Sequence, residues 1–343
     1  VLREALRTAR RPAVRLVLDV VLAAGGIGIA VWRVAPALTT VGDFGTRFAA
    51  VRWQWVALAV AAALSSLAAY GELHRRLLVT AGARVPVGTV QAVNFAGNAI
   101  AQTMPSAGST AGAAYTVAAL RARGVDTAAS LWSATVAALL SAAVLVVPAP
   151  AMLAGAGVLG WPAALGLVAL FAALAVLGSR LVHRPAAAHW AARRVFALVR
   201  HVPALRNGRW VHAGISPLDE LLGRLARFRP SARAWSGFAS WALLSWALDY
   251  VALVACVLAS ASTVPWLALA AGYLAVQVSI GIQLTPAGAG PAETGLLAAL
   301  VAGGLAAPGA ALAVVLYRAI TWLGLTAAGW LVFAVHAVRT DGR

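Results

Sequence analysis

Seven stretches of this chain are apolar over lengths that suit a bilayer: Leu16–Val34, Trp55–Tyr70, Ala128–Val147, Leu159–Val182, Trp235–Ala259, Pro265–Leu284 and Ala310–Val335. A helix needs about 20 apolar residues to cross a hydrocarbon core of about 30 Å. A water-soluble domain buries one face of most of its helices and leaves the other polar, which runs of this kind do not permit. So many runs also exclude a single cleaved signal peptide as their explanation. Composition agrees: 62% of residues are hydrophobic and 11% charged, against roughly 25% charged in soluble proteins. The expectation is an all-α polytopic membrane protein, a single transmembrane domain over residues 1–343 with no soluble domain at either end.

The net charge of +17 raises the question of nucleic acid, and the position of the charges answers it. All 27 basic residues are arginine, and they gather at the ends of apolar runs or in one central segment. That is the pattern of membrane topology, in which basic residues stay on the cytoplasmic side; no nucleic-acid partner is expected. Arg3, Arg7, Arg10, Arg11 and Arg15 place the N-terminus inside, Arg75, Arg76, Arg84, Arg121 and Arg123 mark two further inner loops, and Arg339 and Arg343 place the C-terminus inside. The alanine- and arginine-rich composition without lysine fits the plasma membrane of a high-GC bacterium. Cys256 stands alone in an apolar run, so neither a disulfide nor a thiolate metal site is available within one chain.

This topology constrains two awkward segments. The stretch from Pro86 to Arg123 begins and ends inside, and that from Thr263 to Pro308 begins and ends outside. Each is interrupted, at Met104-Pro105-Ser106-Ala107-Gly108 and at Thr285-Pro286-Ala287-Gly288-Ala289-Gly290. Both are expected to be re-entrant helical hairpins, beside about six full spans; hydropathy alone counts about eight spans, and two short full spans at each place is the competing reading. The breaks also echo one another: Pro105, Gly108, Gly112 and Gly124 correspond to Pro286, Gly290, Gly295 and Gly304. The same order of helix, hairpin and helix surrounds each, giving repeat 1 at about 53–148 and repeat 2 at about 235–336. The first repeat starts outside and the second inside, so the topology is inverted. Interrupted segments at matching positions of inverted halves mark a transporter's binding site near the midplane.

Broken backbone at membrane depth is tolerated where it lines a cavity or is buried in protein, and helix N-termini attract phosphate or carboxylate. The candidate substrate-binding residues follow from that. Glu293 lies in the first turn after the second break, and Arg318 lies in the middle of the last span; intramembrane ionisable residues are functional candidates by default. Glu293 has a structural reading too, as a carboxylate that stabilises a helix N-terminus, and Arg318 as its ion-pair partner. Asn94, Asn98, Gln102, Ser106, Ser109 and Thr110 line the first hairpin, and Gln277, Gln283 and Thr285 are their counterparts in the second; amide or hydroxyl packing between helices is the alternative to substrate contact. Pro105, Gly108, Gly112, Pro286, Gly288 and Gly290 shape the breaks. Asp19 and Asp249 also lie in spans but near no break, and carry less weight. The six histidines fall at helix ends or in the Arg-rich segment, so no metal, haem or other cofactor is expected. The basic segment 183–234, with Trp190, Phe196 and Trp210, suits an amphipathic stretch on the cytoplasmic leaflet; a plain topological linker is the alternative. Trp32, Trp53, Trp55, Trp161, Trp235 and Trp266 sit near span ends as interfacial anchors.

Two blocks, NAIAQTMPSAGSTAG from Asn98 to Gly112 and LTPAGAGPAETG from Leu284 to Gly295, together with Arg318, resemble the transmembrane, flippase-like region of the lysylphosphatidylglycerol synthetase family, including its stand-alone members. The resemblance covers most of the chain, and its second block is the more specific. It implies a membrane domain that moves an aminoacylated lipid between leaflets, beside a cytosolic aminoacyl-transferase domain in the full-length synthetases. Where relatives carry charged residues after the first glycines and in the next helix, this sequence has Ala113, Ala114, Ser133 and Thr135. The expected function is therefore a lipid translocase, not an enzyme, for an anionic or aminoacylated phospholipid or a polyprenyl-phosphate lipid. Its partners would be membrane lipids, with a separate lipid-modifying enzyme if the chain acts as a scaffold instead; an ion-coupled transporter of a small solute is the other alternative. No oligomeric state follows from the sequence.

Overall fold

A computed structural model of the chain describes residues 49–103, 108–147, 149–155, 159–170, 230–282, 286–288 and 290–341, with the single positions 157, 173 and 228. The expected first span, Asp19 and nearly all of the basic segment 183–234 lie outside the described residues, as do Pro105, Ser106, Gln283 and Thr285.

The described chain is helical. In order, α1 is Trp53–Thr80, α2 Val87–Thr103, α3 Gly108–Arg121, α4 Thr127–Val146, α5 Ala149–Gly155 and α6 Trp161–Leu170. After the basic segment come α7 (Ala232–Ser260), α8 (Trp266–Ile282), a 3₁₀ turn at Pro286–Gly288, α9 (Pro291–Ala302), α10 (Ala307–Arg318), a π turn at Ala319–Gly324 and α11 (Leu325–Asp341). Four segments are long and apolar enough to cross a membrane: Trp53–Thr80, Thr127–Gly155, Ala232–Ser260 and Ala307–Val335. The run expected to end at Val147 resumes as α5 beyond Pro148, and the last span is widened by the π turn rather than being uniform α-helix.

Local chemistry sets several boundaries. Asp126 caps α4 by accepting from the amides of Ala128 and Ala129, and Ser231 caps α7 through Ala234, each satisfying donors that a helix start leaves bare. The arms α3 and α9 end alike. Gly124 and Gly304 take φ of 81° and 93°, and the following amides, of Val125 and Leu305, return to the carbonyls of Leu120 and Leu300 at 3.1 Å. A left-handed residue at that position favours glycine.

The two interrupted segments are helical hairpins. Arms α2 and α3 have 17 and 14 residues, and α8 and α9 have 17 and 12. At 1.5 Å per residue these reach about 18–26 Å, short of a full hydrocarbon core. The arms of the first pair meet closely: a Cβ on Gly108 would lie 2.0 Å from the Ala101 carbonyl oxygen, and one on Gly112 2.6 Å from that of Gly97. In lipid, where apolar side chains gain nothing from leaving their surroundings, such small-residue contacts supply packing.

The same logic governs the centre of the bundle. The most extensive helix pairing among the described residues is α1 with α7, and it is built from small side chains, Ala59, Ala62, Ala63 and Ser66 against Ala252, Ala255, Cys256 and Ala259. The pair is antiparallel. The Arg52 amide, at the start of α1, donates to Ala259 at the end of α7 at 3.1 Å, and its guanidinium reaches the carbonyls of Leu258 and Ala261. At the opposite end Arg76 stacks over Trp241, 5.1 Å from the ring centre. Large apolar side chains face outward instead: Leu139, Leu165, Leu243 and Leu331 are exposed. Trp53, Trp161 and Trp266 are exposed at the first residues of α1, α6 and α8, where interfacial anchors belong.

Candidate functional site

Where α1 crosses α7, Ser66 donates its hydroxyl to the Ser245 carbonyl at 2.8 Å, and Ser245 donates to the Ser66 carbonyl at 2.9 Å. The contact is reciprocal, each serine donating to the other's carbonyl across an antiparallel helix pair. The two serines are 179 residues apart. The same separation relates Tyr70 to Asp249, Asn98 to Gln277 and Ala101 to Ile280, and one residue more relates Ala138 to Arg318 and Ser141 to Thr321. All of these line one chamber of about 460 Å³ between α1, α2, α3, α4, α7, α8 and α10.

The second hairpin reaches this chamber through Arg318. Its Nε donates to Glu293 Oε1 at 2.6 Å and its Nη2 to the Ala287 carbonyl at 2.6 Å. Ala287 lies in the break with φ of 51°, between Pro286 and Gly288 (φ 68°), and its left-handed backbone aims that carbonyl at the arginine. Glu293 Oε2 in turn accepts from the Gly290 amide at 2.6 Å, so the N-terminus of α9 is already occupied by its own carboxylate. Gly290, at φ 96°, is the glycine this turn requires. Arg318 is 3% exposed and the Glu293 side chain 29%. The guanidinium also stacks on Trp322 at 5.1 Å. Trp322, within the π turn, packs on Ala287 and donates Nε1 to the Gln102 carbonyl at 3.4 Å, one residue before the end of α2. Trp322 therefore bridges the second break and the last turn of α2.

The first hairpin contributes amides. Asn94 donates to the Leu67 carbonyl at 2.7 Å, which ties α2 to α1. Asn98 lines the chamber, and its buried Nδ2 has no hydrogen-bond partner among the described residues. Leaving such a donor unpaired costs about 1–3 kcal/mol, which makes Asn98 a candidate for contact with a ligand. Ser109 and Gly112 also line the chamber, whereas Gly108 serves the contact between the arms.

Of the residues singled out in the sequence, the chamber thus unites Arg318, Asn94, Asn98, Ser109 and Gln277. Glu293 stands outside its wall and acts on it through Arg318. Asp249, weighted low because no break lies near it, is central. Its Oδ2 accepts from Tyr273 at 2.8 Å, Gln277 at 3.1 Å and Tyr317 at 2.9 Å. His74 is buried and lines the same chamber, bonded through Nε2 to Ser133 Oγ at 3.1 Å; it lies inside α1 rather than at its end. The sequence signal for Asp249 was present, an acid in the middle of a 29-residue apolar helix, but its tyrosine partners come from two other helices.

A bundle of apolar helices around a chamber that carries polar side chains, with two helical hairpins beside it, defines a multi-pass membrane protein with a candidate site inside the bundle. The family model for the lysylphosphatidylglycerol synthase TM region matches residues 16–329, and the chain belongs to that family. Comparison with curated proteins gives no match. Membership makes the function lipid-related.

Proposed function

We propose that the chain is a lipid translocase, moving the headgroup of an anionic or aminoacylated phospholipid, or a polyprenyl-phosphate lipid, through this chamber while the acyl chains stay in the bilayer. The observation that carries the reading is the reciprocal Ser66–Ser245 contact with the paired chamber residues around it. Antiparallel α1 and α7 at equivalent positions imply inverted repeats. Inverted repeats give a transporter two states of opposite access that differ little in energy. The arginine distribution places both ends of the chain on the cytoplasmic side.

The size of the chamber fits. About 460 Å³ lies within the roughly 300–1,000 Å³ of small-molecule sites, enough for a headgroup and too small for two acyl chains. Its chemistry fits as well: the Asn98 amide and the Arg318 guanidinium offer donors to a phosphodiester. No bond-making role is assigned to the chain, and membrane lipid is its partner.

The test is purified full-length protein in phosphatidylcholine vesicles containing headgroup-labelled phosphatidylglycerol. Label should become accessible to a membrane-impermeant quencher faster than in protein-free vesicles, and Asn98→Leu should abolish the difference. Equal rates with and without protein would overturn the reading. Co-purification with a lipid-modifying enzyme whose output survives Asn98→Leu would favour a scaffold.

A further inference from the structure

We infer that Asp249 binds a proton and couples movement of the chamber's ligand to a proton gradient. The inference rests on the translocase reading above. It starts from an imbalance within one carboxylate. Oδ2 of Asp249 takes three donors, from Tyr273, Gln277 and Tyr317, while Oδ1 takes none among the described residues. Asp249 is half-buried, and what exposure it has is toward the chamber.

All three donors are uncharged. Arg318, the next residue after Tyr317, is near enough to act on Asp249 electrostatically, but it is engaged with Glu293 and the Ala287 carbonyl and makes no direct ion pair with Asp249 among the described residues. A carboxylate held in a membrane interior without a contacting cation costs several kcal/mol. A proton on Oδ1 removes that cost and leaves the three donors on Oδ2 in place, their bonds weakened. A metal cation fits poorly, because it needs a shell of oxygen acceptors where this site presents N–H and O–H groups already turned toward the carboxylate.

The remaining titratable or charged groups around Asp249 are Tyr70 and His74 on α1, and Tyr250 and Cys256 on its own helix. The chamber-facing side chains of α2, α3 and α4 are uncharged. His74 and Asp249 stand on opposite sides of the Ser66–Ser245 crossing. Because α1 and α7 are antiparallel, residue spacing puts His74 about 12 Å to one side and Asp249 about 6 Å to the other. With Tyr70 between them on α1, the chamber has a proton-accepting group toward each end. On the cytoplasm-inside topology, Asp249 lies on the outer side and His74 on the inner. The proton would load on Asp249 Oδ1 from outside and leave through His74, whose ring is held by Ser133.

Coupling follows from what Tyr317 touches. It binds Asp249 and directly precedes Arg318, which holds the second break, and the π turn that carries Trp322 to the first hairpin. Hydrogen bonds to a charged carboxylate are about twice as strong as those to a neutral one. Protonation therefore loosens the tie between α7 and the helix that closes both hairpins, at the place where a change of access has to act.

The test uses full-length protein in phosphatidylcholine vesicles with headgroup-labelled phosphatidylglycerol and a pH-sensitive dye in the lumen. With one proton per lipid, a gradient of one pH unit should shift the steady-state ratio of label between leaflets by up to about tenfold, with the luminal pH moving in step. Asp249→Asn should lose this dependence, so that whatever label it moves settles at the same ratio with and without the gradient. If the wild-type ratio ignores the gradient while label moves, the proton inference fails and the translocase reading stands. If no label moves at all, the translocase reading fails. Difference infrared spectra then decide the proton site alone: a protonated-carboxyl band present in wild type and missing in Asp249→Asn upholds it, and its absence from wild type overturns it. Should Asp249→Asn fail to fold, Asp249→Glu takes its place, and the band must shift in that variant.

Discussion

The Glu293–Arg318 pair yields a prediction whose outcome depends on which partner is removed. Arg318 is 3% exposed and Glu293 29%, so the two charges differ in what replaces a lost partner. Glu293→Gln leaves a buried guanidinium without its counter-charge, a change that costs about 3–5 kcal/mol where burial is complete. Arg318→Met leaves Glu293 partly solvated and still bound to the Gly290 amide. What Arg318→Met gives up is the bond to the Ala287 carbonyl, about 1–3 kcal/mol for an orphaned acceptor, and the stacking on Trp322, about 1 kcal/mol. The single substitutions should therefore cost about 3–5 and about 2–4 kcal/mol. With no arginine present, Glu293→Gln has little left to disturb, so the double variant should cost about the same as Arg318→Met alone. That is a coupling of about 3–5 kcal/mol, at or above the upper end for residues in contact. The assay is reversible denaturation in mixed micelles, followed by tryptophan fluorescence, for wild type, both single variants and the double variant. Costs that simply add would refute the reasoning, because the pair would then not hold the second break to the last span.

Four further outcomes follow. Asn98→Leu should leave stability unchanged or raise it by about 1 kcal/mol, since it deletes an unpaired buried donor, yet abolish lipid movement; loss of both together in denaturation and vesicle assays would make Asn98 merely structural. Gly108→Val should prevent folding or cost more than about 3 kcal/mol, because even its Cβ would overlap the Ala101 carbonyl; expression with a normal gel-filtration profile would contradict the packing of α2 on α3. Leu331→Arg, on an exposed face near the end of the last span, should lower membrane insertion by less than the roughly 2.5–3.5 kcal/mol that an arginine costs at a span's centre, and insertion at the wild-type level in a translocon assay would mean that this face meets water. In a Cys256→Ala background, Ala122→Cys should label only from the cytoplasmic side and Thr263→Cys only from outside; labelling of both from one side would disprove the inverted topology.

Much of the architecture was legible because a bilayer leaves few options. Apolar runs of sufficient length located α1, α4, α7 and the last span, and proline with glycine located both breaks. The correspondence of Gly124 with Gly304 held down to backbone conformation, since a left-handed helix end favours glycine and leaves a fixed mark in sequence. The correspondence of Gly108 with Gly290 did not extend so far. Gly108 admits a neighbouring carbonyl, whereas Gly290 turns the chain at positive φ, and sequence writes both needs with the same letter. The chamber was harder to see. Glu293 was singled out for its nearness to a break, and the structure makes it a partner of Arg318. Asp249 was weighted low for its distance from one, although Tyr273 and Tyr317 converge on it from other helices. Local spacing reports neighbours along a chain, while a polar chamber within the bundle depends on where helices cross. The serines at the same position in α1 and α7 were visible all along, but their reciprocal bonds require the crossing.

On the inverted-repeat reading, the halves share a scaffold but not a charge. Tyr70 stands where the other half has Asp249, and Ala138 where it has Arg318, while Asn98 and Gln277 keep an amide in both. Each ionised group inside a membrane carries a desolvation cost, so a second charged set would add that cost again without adding a second ligand. On the proposed translocase function, one set placed beside the crossing would serve both directions of access, because the same chamber would face each side in turn. The scaffold alone would let lipid equilibrate, its two states being near equal in energy. A single acid on one side of the crossing breaks that equality, since its proton is exchanged with one compartment before the other. The symmetric features therefore suit movement across the bilayer, and the one-sided charges suit its direction.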